Sequence, residues 1–341
     1  MNTYEDAGVS PARGDAASED AMRQMKATFN EYVVMDLGLP VIDLFAAISK
    51  IWKRPMLRHA VDGVGTKLIY AANCGVVDTV GEDLVAMCAD DLARYNIRPL
   101  AFSAYRGVNF INESTLSLVI RGIVSGCKKA GIPYTAGETA EMPGFYVDSH
   151  FELAGFCDGI YEHGTLRFGQ DTKAGDILIA LPSLGPGSNG FSLIRSVFPP
   201  EEVVAGKSQI TCEEVLRPTP IYTRQVLKAN EKYKTIRGWA HITGGGLGEK
   251  GKLAKLLPRG LCARLDRKSW KVPSIFLKVQ QVGNISDEVM FSTFNMGLMM
   301  IAPVQNRQAN NVVQFFESLG ITVAIVGRVE KQQGLSKVLI V

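Results

Sequence analysis

The segment Asp62-Gly63-Val64-Gly65-Thr66-Lys67 packs a carboxylate, two glycines, a hydroxyl and an ammonium into six residues, directly after a short apolar run. Glycines let backbone N–H groups approach anionic oxygens, Asp62 can ligate Mg2+ and Lys67 can neutralise phosphate charge. An ordinary hairpin is the alternative reading. Farther on, Asp90 and Asp91 interrupt an apolar stretch seven and eight residues after Asp83. At helical spacing at least one of them faces inward with Asp83, and an inward carboxylate needs a partner or a cation. The string Gly137-Glu138-Thr139-Ala140-Glu141-Met142-Pro143-Gly144 sets two carboxylates three apart. They can hold metal, act as a base or cap a turn, and residue chemistry alone leaves the three open.

The second half offers different chemistry. Gly185-Pro186-Gly187-Ser188-Asn189-Gly190 leads into a helical pattern, so Ser188, Asn189 and backbone N–H groups can bind a phosphate there, or merely cap the helix. His241-Ile242-Thr243-Gly244-Gly245-Gly246 follows, and three consecutive glycines suit close backbone approach to a ligand, although a lone histidine is more often structural. Gly246-x-Gly248-x-x-Gly251 mimics a dinucleotide fingerprint, but no βαβ unit closed by an acid follows it. Gly246-x4-Gly251-Lys252 mimics a P-loop, but Leu253 stands where the Mg2+-binding hydroxyl belongs.

These loops need a scaffold to position them. Apolar stretches at 56–61, 99–104, 132–135 and 151–156 predict strands, and amphipathic patterns at 79–94 and 114–129 predict helices, the second capped by Asn112 or Ser114 and stopped by Gly131. On this reading the acids of 138–141 lie in a loop after the 132–135 strand. Residues 1–17, with Gly8, Pro11 and Gly14, predict a flexible arm before a helix at 18–29. The alternation resumes with strands near 176–181, 298–303, 323–326 and 337–341, and helices near 188–197, 218–229 and 307–319. The expected fold is α/β, layered, in two domains: 18–168 with a mixed sheet, then 169–341.

Composition narrows the function classes. With 341 residues, 46% hydrophobic and 21% charged, the chain fits an ordinary globular protein of about two domains. A net charge of +3 is no nucleic-acid signature, although residues 1–100 carry −4 and residues 201–280 carry +9. The six cysteines form no C-x-x-C and have no histidine at ligand spacing, so neither a zinc site nor a disulfide scaffold is implied. No apolar run reaches membrane-spanning length and the acidic start is unlike a signal peptide, so the expected location is cytoplasmic, with no membrane partner.

Taken in order, the segments Tyr4–Lys26, Asp62–Leu68, Asp83–Leu92, Gly137–Tyr146, Ser188–Leu193, His241–Gly246 and Phe294-Asn295-Met296-Gly297 resemble the phosphoribosylformylglycinamidine cyclo-ligase family of purine biosynthesis. The Gly-Glu-Thr-Ala-Glu-Met-Pro-Gly string is the most specific. The resemblance implies an N-terminal domain whose strands pair across a homodimer, with an ATP site near that interface, and a C-terminal α/β domain. It implies that MgATP phosphorylates the formyl oxygen of formylglycinamidine ribonucleotide, after which an internal nitrogen closes the imidazole. Asp62, Asp91 and Glu138 would hold Mg2+ and phosphate, with Gly63, Gly65, Thr66 and Lys67 on the ATP. Lys67, Asp91 and His241 would be catalytic. Glu141, Ser188, Asn189, Thr243, Gly244, Gly245, Gly246 and Asn295 would bind the ribonucleotide. The chain departs from the family pattern at Gly187, where a histidine is usual, at Asp90, where an asparagine is usual, and at Pro220, where an arginine is usual. A sister ATP-using enzyme of the same superfamily and a non-catalytic nucleotide-binding homologue are the competing readings.

Overall fold

The computed structural model describes residues 11–48, 52–147 and 149–341. They fall into two compact units. The first runs to Leu92 and resumes over Ile97–Gly164; the second comprises Ala93–Asn96 and Thr165–Val341.

The first unit contains helices α1 (Pro11–Met25), α2 (Leu44–Ala47), α3 (Lys67–Cys74), α4 (Thr79–Ala93) and α5 (Glu113–Ala130). Strands β1 (Val33–Asp36) and β2 (Leu39–Ile42) form a separate hairpin. Strands β3 (Pro55–Gly63), β4 (Arg98–Val108), β5 (Tyr134–Glu141) and β6 (Phe151–Glu162) form a sheet in the order β3-β6-β4-β5. β4 and β5 are parallel, as the crossover through α5 requires, and the other two pairings are antiparallel.

Local sequence explains most of these boundaries. Asn112 accepts the Thr115 N–H and caps α5, and Gly131 ends it in the left-handed conformation. Leu84, Val85, Cys88 and Leu92 form the buried stripe of α4. That helix crosses α5 at glycines: a Cβ on Gly122 would stand 1.8 Å from the Asp78 carbonyl oxygen, and one on Gly81 would stand 2.3 Å from the Ile123 nitrogen.

Two expectations are corrected here. Residues 11–17 are not an arm but the first two turns of α1, which opens on Pro11, a residue whose fixed φ suits a first helical turn. Ala17, Ala21 and Met25 bury one face of α1, and Gln24 donates to Ser117 of α5, so packing overrides the cost of Gly14 in a helix. Residues 1–10 lie outside the described residues. The Gly137–Glu141 segment is not a loop but the second half of β5, paired residue by residue with Ala104–Val108. Glycine and glutamate are poor strand formers, and the parallel ladder overrides that preference.

The second unit holds the sheet β12-β9-β11-β7-β10-β8, made of β7 (Ile177–Pro182), β8 (Ala240–His241), β9 (Leu261–Leu265), β10 (Leu298–Val304), β11 (Ala324–Lys331) and β12 (Val338–Ile340). Its helices are α6 (Phe191–Val197), α7 (Pro200–Val204), α8 (Cys212–Val215), α9 (Thr223–Lys232), α10 (Lys252–Leu256), α11 (Ser274–Gly283), α12 (Asp287–Thr293) and α13 (Ala309–Glu317). Every residue of β10 is buried, as expected of an interior strand. The core gathers Ile179, Trp239, Met299, Val312 and Phe316 with Ala93, the last residue of α4. The sequence boundary at 168/169 therefore misses both the break at Gly164 and the inserted segment Ala93–Asn96.

Candidate active site

In the first unit, Asp62 is the penultimate residue of β3, and its Oδ1 accepts the Gly63 N–H at 2.8 Å. Its carboxylate is exposed, and the turn that follows, with Gly65 at φ +71°, delivers the chain to the start of α3. Asp62 is opposite Gly155, where a Cβ would meet Cys88 Sγ at 3.0 Å and Leu84 Cγ at 3.0 Å, so this row of side chains faces α4. Burial pushes the Cys88 thiol up, and the charges of Asp62 and Asp91 push it farther. The two carboxylates therefore share one neighbourhood, with Asp91 half-buried on α4.

Glu138 is elsewhere. The row Asp62–Gly155–Ala104–Gly137 spans the sheet from edge to edge, and Glu138 belongs to the next row, with Tyr105 and Ala154. It thus points to the opposite face from Asp62, with three strand spacings, about 14 Å, between their strands. Asp62, Asp91 and Glu138 do not form one metal site within the chain, and no group of three His, Cys, Asp or Glu side chains able to hold a metal occurs among the described residues. Mg2+ is commonly held by one or two carboxylates plus substrate phosphates, so Asp62 and Asp91 fit it without a third.

Three further assignments change. Lys67 is fully buried, and its Nζ lies 2.7 Å from Asp83 Oδ2, itself fully buried. Burial lowers the Lys67 pKa, and Asp83 acts to restore it. This ammonium ties α3 to α4 and offers no surface to a phosphate. The Glu141 side chain is nearly buried, and Oε1 accepts from the Ile111 N–H at 2.6 Å and from Arg13 at 3.4 Å, which makes it a strut for the 109–111 loop and α1. Of the two adjacent acids, Asp90 is the inward one, fully buried on the same helical face as Asp83, about two turns along.

In the second unit, α6 begins at Phe191 with Gly190 at its N-cap, so Ser188 and Asn189 lie in the loop before the helix. Ser188 Oγ is buried and has no hydrogen-bond partner among the described residues, which leaves it open to a ligand. Asn189 Oδ1 lies 3.8 Å from where a Cβ on Gly244 would stand, so the two glycine-rich loops meet there. The three glycines separate in role. Gly244 is exposed beside Asn189, whereas a Cβ on Gly246 would strike the Phe291 carbonyl oxygen at 2.5 Å and one on Gly245 would crowd Gly251. Gly244 is the most open of the three, Gly245 is half-buried and Gly246 is buried. Thr243 is nearly buried, and its carbonyl accepts the Gly246 N–H.

Two residues expected on substrate are interior. Asn295 donates to the Gly185 carbonyl at 3.0 Å and accepts the Gly297 N–H at 2.8 Å, bracing the loop from below. His241 is fully buried on β8, opposite Met300 of β10. Two departures from the family pattern prove to be neighbours. A Cβ at Gly187, φ +67°, would lie 3.4 Å from Thr219 Oγ1, and Pro220 follows Thr219 directly. Sequence spacing gave no sign of this.

Comparison with known proteins agrees with the two-unit division. The family described as AIR synthase related protein matches through its N-terminal domain at residues 46–161 and through its C-terminal domain at 173–340. A phosphoribosylformylglycinamidine cyclo-ligase of Alkaliphilus metalliredigens is 39% identical, the match covering 95% of this chain and 94% of that one. One of Caldicellulosiruptor bescii is 38% identical, covering 97% and 98%. Among solved structures, E. coli HypE superposes with a TM-score of 0.66 at 16% identity over 95% of this chain and 92% of that one, and HypE in complex with ATP with 0.65 at 13% over 92% and 86%. The latter two show the shared fold. Matched in both units and over nearly its whole length, the chain belongs to the AIR synthase related family, among relatives named phosphoribosylformylglycinamidine cyclo-ligase.

Proposed function

We propose that this chain is an ATP-dependent cyclo-ligase of de novo purine biosynthesis, closing formylglycinamidine ribonucleotide to aminoimidazole ribonucleotide with release of ADP and phosphate. The near full-length match to enzymes of that name carries the reading. The chemistry is coherent: an amide-like oxygen leaves poorly, its phosphate ester leaves readily, and the internal nitrogen then takes its place on the carbon. Asp62 and Asp91 would hold Mg2+, which would supply charge neutralisation for the ATP phosphates, and Gly63, Gly65 and Thr66 would offer backbone N–H groups to them. Ser188, Asn189 and Gly244 bind the ribonucleotide. Lys67, Asp83, Glu141, Asn295 and His241 hold these groups in place.

The working form is a homodimer in the cytoplasm. The first unit's sheet carries exposed Leu57 (57%), Val61 (61%) and Phe156 (42%) on the face away from α4, and a second copy covers it. Glu138, on that same face, then serves the partner's nucleotide. No helix among the described residues is long and apolar enough to cross a membrane.

Purified chain with MgATP and formylglycinamidine ribonucleotide tests the reading through equal yields of aminoimidazole ribonucleotide and ADP. ADP without imidazole indicates a sister phosphorylating enzyme. The complete burial of Lys67 and His241 favours one second reading, a non-catalytic nucleotide binder, and ATP binding without ADP would establish it.

A further inference from the structure

Arg106 of β4 is only 4% exposed. Its Nε donates to Thr139 Oγ1 and its Nη1 to the Tyr134 hydroxyl, both at 2.8 Å. Among the described residues it has no carboxylate partner. Tyr134 supplies no counter-charge either: burial pushes its phenol up, against the pull of Arg106, so it stays neutral. A guanidinium cannot shed its proton to escape burial, and an unpaired buried cation is costly. Arg106 is one of the residues that line a cavity of about 110 Å³. Val108, Leu116, Val119 and Phe151 make that cavity largely apolar, and Thr115 and His150 add polar groups.

We infer that this cavity is a binding site for a short aliphatic monocarboxylate, its oxygens paired with Arg106 and its body against Val108, Leu116 and Phe151. Carboxylate is the planar anion a guanidinium fork recognises best. Inorganic phosphate is hydrated on every side and would bring no apolar body to set against the Val108, Leu116, Val119 and Phe151 walls, although Asn109, Asn112 and Ser149 also line the cavity. The cavity is smaller than the roughly 150 Å³ that accommodates benzene, which sets the body at about three or four carbons. The site is separate from the Asp62–Asp91 cluster and does not depend on the cyclo-ligase reading.

The test is equilibrium dialysis of the full chain with labelled isobutyrate. The expected result is saturable binding of one molecule per chain, with affinity at least tenfold weaker in Arg106→Met. Thr115→Phe keeps the cation and fills the cavity from a half-buried position; it is expected to fold with an unchanged circular dichroism spectrum and to lose binding to the same degree. If Arg106→Met fails to fold, Thr115→Phe decides alone. Absence of saturable binding at millimolar isobutyrate, binding unaffected by Thr115→Phe, or displacement by inorganic phosphate at equal concentration would each overturn the assignment.

Discussion

Replacing Asp83 with asparagine separates the two roles open to Lys67. The pair has both side chains at zero exposure and 2.7 Å between charged atoms, so solvent screening gives no relief. Removing one charge of a fully buried pair costs about 3–5 kcal/mol, a hundred- to several-thousand-fold in the local folding equilibrium. Replacing both, as Lys67→Met with Asp83→Leu, removes the desolvation cost along with the attraction and is expected to bring stability back to within about 1 kcal/mol of the parent. A chain of two units has no guarantee of a single unfolding transition, so the measurement is native-state hydrogen exchange of the α4 amides, which reports local opening directly. Steady-state ATP turnover is followed in parallel. The reasoning is refuted if Asp83→Asn costs under about 1 kcal/mol, or if the double variant is as unstable as the single. A stable double variant without turnover would return Lys67 to the phosphates.

Asp62→Asn is expected to reduce cyclo-ligase turnover at least a hundredfold while shifting stability by no more than about 0.5 kcal/mol, because the side chain is exposed; unchanged turnover removes it from the site. Gly122→Ala gains about 1 kcal/mol of helix propensity but drives a Cβ into the Asp78 carbonyl, an overpacking cost of about 3 kcal/mol, so thermal unfolding is expected earlier by several degrees, and a raised midpoint would contradict the tight crossing. Glu214 gains from burial a push upward that hydrogen bonds from Lys278 and Thr211 outweigh, leaving its pKa below 4.5. It therefore stabilises the fold above about pH 4.5 and loses that contribution as pH falls through its depressed value. Glu214→Gln is expected to flatten the acid limb of a stability-versus-pH curve, and an unaltered limb would count against the pairing.

What could be read from the sequence follows from the range of the forces involved. The α4 and α5 helices, the Asn112 cap and the Gly131 stop depend on residues within a turn or two, and they lie where local pattern put them. The second half of β5 depends on pairing with β4, some thirty residues away, and poor strand formers concealed it. Within the first unit the motifs at Asp62 and Asp91 fall on one face of the sheet and the helix against it, and within the second those at Asn189 and Gly244 meet. The same motifs overcounted, because Lys67, Glu141, His241 and Asn295 carry reactive groups whose burial only the tertiary structure reveals. Glu138 was grouped with Asp62 because the strand order that sets them on opposite edges is absent from linear spacing.

The four residues Ala93–Asn96 give the chain three crossings between its units where a single linker would give one. A protease that nicks the backbone after Gly164 therefore leaves the N-terminal fragment still anchored through Ala93 in a core built around Trp239. A C-terminal segment transplanted from Thr165 onward arrives without the piece that completes its own interior. An independently expressed second unit therefore needs those four residues supplied in some other way.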